Sequence, residues 1–130
     1  MKIIFAGGGT GGHLFPGIAL AQTFSDKSTV LFLCTNRLFD KTQLDRYKFD
    51  YNALPSPRLP SIKKPWTVFS FIVNFLLALR RTNRCFSGFK PDVVIGLGGY
   101  GAFSSLIIAL ARGVPFVLLE QNVLPGRISR

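Results

Sequence analysis

Lys2-Ile3-Ile4-Phe5-Ala6-Gly7-Gly8-Gly9-Thr10-Gly11-Gly12-His13 is the stretch that decides the fold class. The run Ile3 to Ala6 is short and apolar at every position. Side chains alternate across a strand, so an unbroken apolar run means burial on both faces, the mark of a parallel sheet. Five glycines in the six positions 7–12 then turn the chain into a segment with helical spacing, Phe15 to Phe24, where Ile18, Leu20, Ala21 and Phe24 are apolar. Pro16 suits the first turn of that helix, where a missing N–H costs nothing.

The alternation continues outward from this unit. Val30 to Cys34 reads as a second buried strand. Phe39 to Tyr47 reads as a weakly amphipathic helix with charges at Asp40, Lys41, Asp45 and Arg46. Tyr51 to Leu54 makes a third strand, and Pro55, Pro57, Pro60 and Pro65 punctuate an irregular connection. Trp66 to Leu79 is a long apolar helix. Val93 to Gly96 is a fourth strand ending in Gly98-Gly99-Tyr100-Gly101, and Ala102 to Ala111 is another helix. Phe116 to Leu119 is a fifth strand stopping at Glu120-Gln121-Asn122, and Pro125 to Arg130 reads as a helix that has only begun. Strands alternating with helices predict an α/β domain, a parallel sheet covered on both faces. Ligands of such sheets bind beyond the carboxyl ends of the strands.

Composition narrows the chemistry. The chain has 130 residues, 48% hydrophobic and 17% charged, which is one folded domain of ordinary size. Its net charge is +10, and no acidic residue lies between Tyr51 and Pro91, where Arg58, Lys63, Lys64, Arg80, Arg81, Arg84 and Lys90 fall. That basic middle predicts contact with something anionic. Nucleic acid is not expected, because the aromatic residues lie in apolar runs and no groove-reading motif is present. Cys34 and Cys85 are far apart and His13 is the one histidine, so a zinc site is not expected; no Asp-x-Asp motif appears, so no bound metal is expected, and no cofactor is either. A reducing, cytoplasmic setting follows by default.

The glycine loop is the sharpest motif. Its amides, together with the positive end of the following helix, can approach a phosphate or a sugar closely. Gly7-x-Gly9-x-x-Gly12 matches the dinucleotide fingerprint. The end of the second strand, however, reads Cys34-Thr35-Asn36-Arg37 with no carboxylate for a ribose, which disfavours NAD and leaves Arg37 as the only hint of NADP. His13-Leu14 after Gly12 excludes a nucleotide-triphosphatase loop, which needs Lys then Ser or Thr. His13 itself suits either a general base for a hydroxyl nucleophile or a residue that orients the loop.

Three motifs together carry a resemblance. Gly8-Gly9-Thr10-Gly11-Gly12-His13-Leu14-Phe15-Pro16-Gly17 resembles the first glycine loop of the MurG family, Pro91-Asp92-Val93-Val94-Ile95-Gly96-Leu97-Gly98-Gly99-Tyr100 its second, and Glu120-Gln121-Asn122 the motif after its fifth strand. The resemblance implies the GT-B architecture of two Rossmann-like domains, this chain supplying the N-terminal, acceptor and membrane-associating one over 1–130. It implies inverting transfer of GlcNAc from UDP-GlcNAc to undecaprenyl-pyrophosphoryl-MurNAc-pentapeptide, lipid I to lipid II, in peptidoglycan synthesis at the cytoplasmic face of the bacterial inner membrane. By matching position, Thr10, Gly11, Gly12 and Asn122 would reach the donor, and His13 would be the base. Gly98, Gly99 and Tyr100 would flank the acceptor's pyrophosphate, with Glu120 supporting the loop or the acceptor. Leu119 stands where many members have histidine, and the second loop lacks a proline often found there.

Length sets two expectations. A chain ending at Arg130 in an unfinished helix reads as truncated, lacking the C-terminal donor domain, and alone it is expected to be inactive. The alternative is a non-catalytic membrane-recruiting subunit of a two-subunit N-acetylglucosaminyltransferase, whose donor-binding half comes in trans. Within Trp66 to Leu79 only Ser70 and Asn74 interrupt the apolar run after Thr67. The face Phe69, Ile72, Leu76 and Leu79 is enough to cover a sheet. Phe71 and Phe75 would then point outward and, with Trp66, Lys63, Lys64, Arg80, Arg81 and Arg84, meet an anionic membrane surface.

Overall fold

The computed structural model describes residues 1–56 and 59–120, with Tyr100 described by its backbone. Five parallel strands form one sheet: β1 (Lys2–Ala6), β2 (Thr29–Thr35), β3 (Asp50–Leu54), β4 (Val93–Gly96) and β5 (Phe116–Leu118). Their order is β3-β2-β1-β4-β5. Successive strands step outward from β1 in one direction and then, after β4, in the other. The crevice between β1 and β4 is therefore the switch point at which open α/β sheets bind ligands. Register is continuous there, Ile3 opposite Val93 and Ala6 opposite Gly96.

The helices are α1 (Gly11–Phe24), α2 (Leu38–Arg46), α3 (Pro65–Phe89) and α4 (Phe103–Arg112), the last preceded by a 3-10 turn over Tyr100–Ala102. The expected alternation of strand and helix is observed, and so is burial on both sheet faces. Ile3, Phe5, Val30, Phe32 and Cys34 pack with Leu14, Ile18 and Ala21 of α1 and Leu44 of α2. Ile4, Ala6, Leu31, Leu33 and Val94 point the other way, onto Phe86 of α3 and Ala109 of α4. Period-two alternation within each apolar run thus divides one core into two layers.

Three expectations need correction. First, α1 starts at Gly11, four residues before the expected Phe15. The helix forms directly from the glycine loop because Thr10 takes the N-cap position, and its carbonyl accepts from His13 N at 3.2 Å and Leu14 N at 3.0 Å. Pro16 consequently lies inside the helix rather than in its first turn, and it has no N–H to give the Gly12 carbonyl.

Second, α3 runs ten residues past Leu79 to Phe89, where Lys90 takes a left-handed conformation and Pro91 follows. Third, the face of α3 that covers the sheet is the reverse of the expected one. Its buried stripe is Ala78, Thr82 and Phe86, and half-buried Phe71 and Phe75 extend it. Phe71 stacks on Phe75 at 6.1 Å between centroids, and Phe75 meets Phe103 of α4 at 5.7 Å. Phe69, Ile72 and Leu76 are exposed. The cause is close packing against α4. Small Ala78 and Thr82 let the helices approach, and the Thr82 hydroxyl donates to Ser104 Oγ at 3.2 Å. A segment apolar all round carries no periodic signal for that choice.

Candidate active site

A cleft of about 1000 Å³ opens along the carboxyl edge of the sheet. Gly8, Gly9, Thr10 and His13 line it after β1, Thr35, Asn36 and Arg37 after β2, and Gly99 and Gly101 after β4. The facing wall is Pro55, Ser56 and Leu59 with the first turns of α3, namely Trp66, Thr67, Ser70, Phe71 and Asn74.

Two glycine loops meet at its floor. A Cβ at Gly7 would stand 2.8 Å from the carbonyl oxygen of Gly98, so no side chain fits between them. Gly98 has φ +90°, and a Cβ there would come within 3.1 Å of His13 Nδ1. The imidazole is therefore wedged against the second loop. Its Nδ1 is buried and has no hydrogen-bond partner among the described residues. The contact fixes where His13 sits without a bond to that nitrogen.

Of the residues expected to take donor and acceptor, Thr10, His13 and Gly99 line the cleft. Gly11 and Gly12 form the first turn of α1 beside it, and Gly98 backs His13. The Tyr100 backbone opens the 3-10 turn that leads into α4. Glu120 lies half-buried just past β5, where Leu119 N–H bonds to Gly96 O at 2.7 Å. Asn122 and the segment Pro125 to Arg130 lie outside the described residues. Among the membrane-surface residues, Lys63, Lys64, Arg80, Arg81 and Arg84 are exposed, as is Trp66, which also borders the cleft. Phe71 and Phe75 do not point outward, since α3 turns them toward the cleft wall and α4.

Several cleft residues were given no place in the donor or acceptor site by the sequence reading. Thr35, Asn36 and Arg37, weighed there only for a dinucleotide, stand at the end of β2, a position the carboxyl-edge rule points to. Ser70 and Asn74, noted only as polar interruptions, both face the cleft, and Asn74 Nδ2 donates to the Ser70 carbonyl at 2.8 Å. Asp40 is the largest departure. The sequence marks it only as one of four charges on a weakly amphipathic helix, yet it is wholly buried, and it is bonded by the Gly9 and Thr35 amides and the Thr35 hydroxyl. This carboxylate is the nearest to a ribose-binding position after β2, and it is spent on the loop. Beside it, burial first and the Asp40 charge second push the Cys34 thiol up to about 12, so Cys34 is inert.

Chemically the cleft combines the start of a helix, a guanidinium, hydroxyls and one imidazole. That set suits a phosphorylated, hydroxyl-rich ligand. Among the described residues no three His, Cys, Asp or Glu side chains gather where they could hold a metal ion.

Over 97% of its length the chain is 36% identical to the UDP-N-acetylglucosamine–N-acetylmuramyl-(pentapeptide) pyrophosphoryl-undecaprenol N-acetylglucosamine transferase of Carboxydothermus hydrogenoformans, covering 34% of that protein. It is 34% identical over its full length to the protein of the same name from Amoebophilus asiaticus, covering 37% of it. The crystal structure of Acinetobacter baumannii MurG superposes with a TM-score of 0.77 at 26% identity, covering 96% of this chain and 35% of that one. The chain thus spans about a third of the length of the curated relatives it matches. The model of the glycosyltransferase family 28 N-terminal domain matches residues 3–130, and the chain belongs to that family.

Proposed function

We propose that this chain is the acceptor half of a GT-B enzyme that transfers GlcNAc from UDP-GlcNAc to undecaprenyl-pyrophosphoryl-MurNAc-pentapeptide. The observation that carries the reading is the meeting of two glycine loops around His13 at the switch point of the sheet. The three relatives described above, named for this transfer or as MurG, support it.

In this reading the amides of Thr10, Gly11 and Gly12 and the Thr10 hydroxyl reach toward the donor, joined by Asn122. Gly98, Gly99 and Tyr100 flank the acceptor's pyrophosphate, with Glu120 in support. His13 takes the proton of the acceptor hydroxyl as that oxygen attacks the anomeric carbon from the side opposite the leaving UDP, which inverts the centre. A C-terminal donor domain, joined to this chain or supplied by a second one, binds UDP-GlcNAc and stabilises the departing diphosphate. The exposed apolar face of α3, flanked by Lys63, Lys64, Arg80, Arg81 and Arg84, rests on the anionic cytoplasmic surface of the membrane and brings the cleft to its lipid-linked substrate. Among the described residues no helix is long and apolar enough to cross a membrane.

A transfer assay with UDP-GlcNAc and the lipid acceptor tests the division of labour. The 130-residue chain alone gives no turnover, and the chain with a donor-binding half gives product. Robust turnover by the chain alone contradicts the assignment. With the donor half present, His13→Ala lowers kcat by roughly 10²–10⁴-fold. A loss confined to KM makes His13 a binding residue instead.

A further inference from the structure

The buried carboxylate under the first glycine loop has no part in the chemistry above. Asp40 is 0% exposed. Its two oxygens accept the Gly9 N–H at 3.0 and 2.9 Å, and Oδ2 also accepts the Thr35 N–H at 3.0 Å and the Thr35 hydroxyl in a short bond. From the solvent side Arg37 Nη1 donates to the Gly9 carbonyl at 2.9 Å. One residue of the loop is thus held by its donor from below and by its acceptor from above.

The loop is built around that hold. A Cβ at Gly8 would stand 2.6 Å from Asp40 Oδ2, so a side chain there would displace the carboxylate. Gly9 has φ +88°, a turn that few other residues adopt. Immediately after it, Thr10 caps α1 without spending its side chain on a cap bond. Because the Gly9 amide is occupied, a ligand approaching the loop is left the amides and hydroxyl that follow it.

We propose that Asp40 is a positioning residue. Through Gly9 and Thr35 it sets the turn that places Thr10 and His13 at the cleft, and Arg37 closes the clamp from the carbonyl side. The catalytic consequence rests on the transfer reading above, whereas the clamp itself is testable without it.

Asparagine is a poor replacement for the carboxylate, because its NH₂ in place of Oδ1 would face the Gly9 N–H and its neutral oxygen accepts less strongly than a charged one. In the 130-residue chain, Asp40→Asn is expected to speed hydrogen exchange at the Gly9 amide about tenfold while the Phe5 and Phe32 amides of the sheet are unchanged. With the donor-binding half present, kcat falls about thirtyfold and acceptor KM stays within about threefold, the pattern of lost orientation rather than lost affinity. Thr35→Val gives the same pattern, and Thr35→Ser, which keeps the hydroxyl, restores the parent values. Should Asp40→Asn fail to fold, exposed Arg37→Ala reads the clamp from its other side, with faster Gly9 exchange again expected. Unchanged Gly9 exchange in the folded variants overturns the clamp. A loss that appears only in acceptor KM overturns the positioning role. Faster Gly9 exchange in a protein whose parent shows no transfer upholds the clamp and overturns the transfer reading alone.

Discussion

The two ends of α3 use similar residues in opposite ways. Phe69 near its start is 72% exposed, while Phe86 near its end is 1% exposed. From Ala78 onward the helix lies on the sheet and on α4. Before it, one side lines the cleft with Thr67, Ser70, Phe71 and Asn74, and the other leaves Phe69, Ile72, Val73 and Leu76 uncovered. The uncovered set has i, i+3, i+4, i+7 spacing, a stripe that ordinarily faces a core. The same period therefore marks a folding surface at one end and an uncovered surface at the other, the one proposed to meet the membrane. Only tertiary placement separates them.

Substitutions at the two ends sharpen that contrast. The largest expected effect is Phe86→Ala, which leaves a void between α3 and the sheet and costs roughly 3–5 kcal/mol in denaturant unfolding. Next comes Phe69→Ser, read by binding to anionic vesicles. Losing the burial of one phenyl ring weakens partition by about 1.5–3 kcal/mol, while unfolding stability moves by no more than about 0.5 kcal/mol. A large loss of stability in Phe69→Ser would break the contrast. Thr82→Ala strands the buried Ser104 hydroxyl and costs about 1–2 kcal/mol of stability. Smallest, Arg84→Gln weakens vesicle binding by about 1 kcal/mol, and added salt erodes the difference.

The sheet was legible because four of the five strands carry an unbroken apolar run, β3 with its Asn52 being the exception, and a helix-length segment lies between each pair. The first glycine loop was legible because five glycines exceed what a turn demands. Residues 38–40 show where legibility ended. Leu38 is 77% exposed and Phe39 is partly exposed, while the charged Asp40 between Phe39 and Lys41 is buried. Hydrophobic patterning assigns those three positions the other way round. The inversion arises because a carboxylate that gathers three donors meets its needs out of water, and its partner Gly9 lies 31 residues away in sequence. No local window contains both. The facing of α3 was hidden for a related reason, since the choice was made by Ala78, Thr82 and Ser104, small residues that pattern reading weighs lightly.

The contact between Gly7 and the Gly98 carbonyl has a practical consequence. The two loops share an atomic boundary, so they cannot be exchanged one at a time. A designer transplanting the second loop from a relative would also shift the seat of His13 and the start of the first helix. Any such graft has to carry both turns as a matched set, and a library that randomises one against a fixed other would sample mostly misaligned clefts.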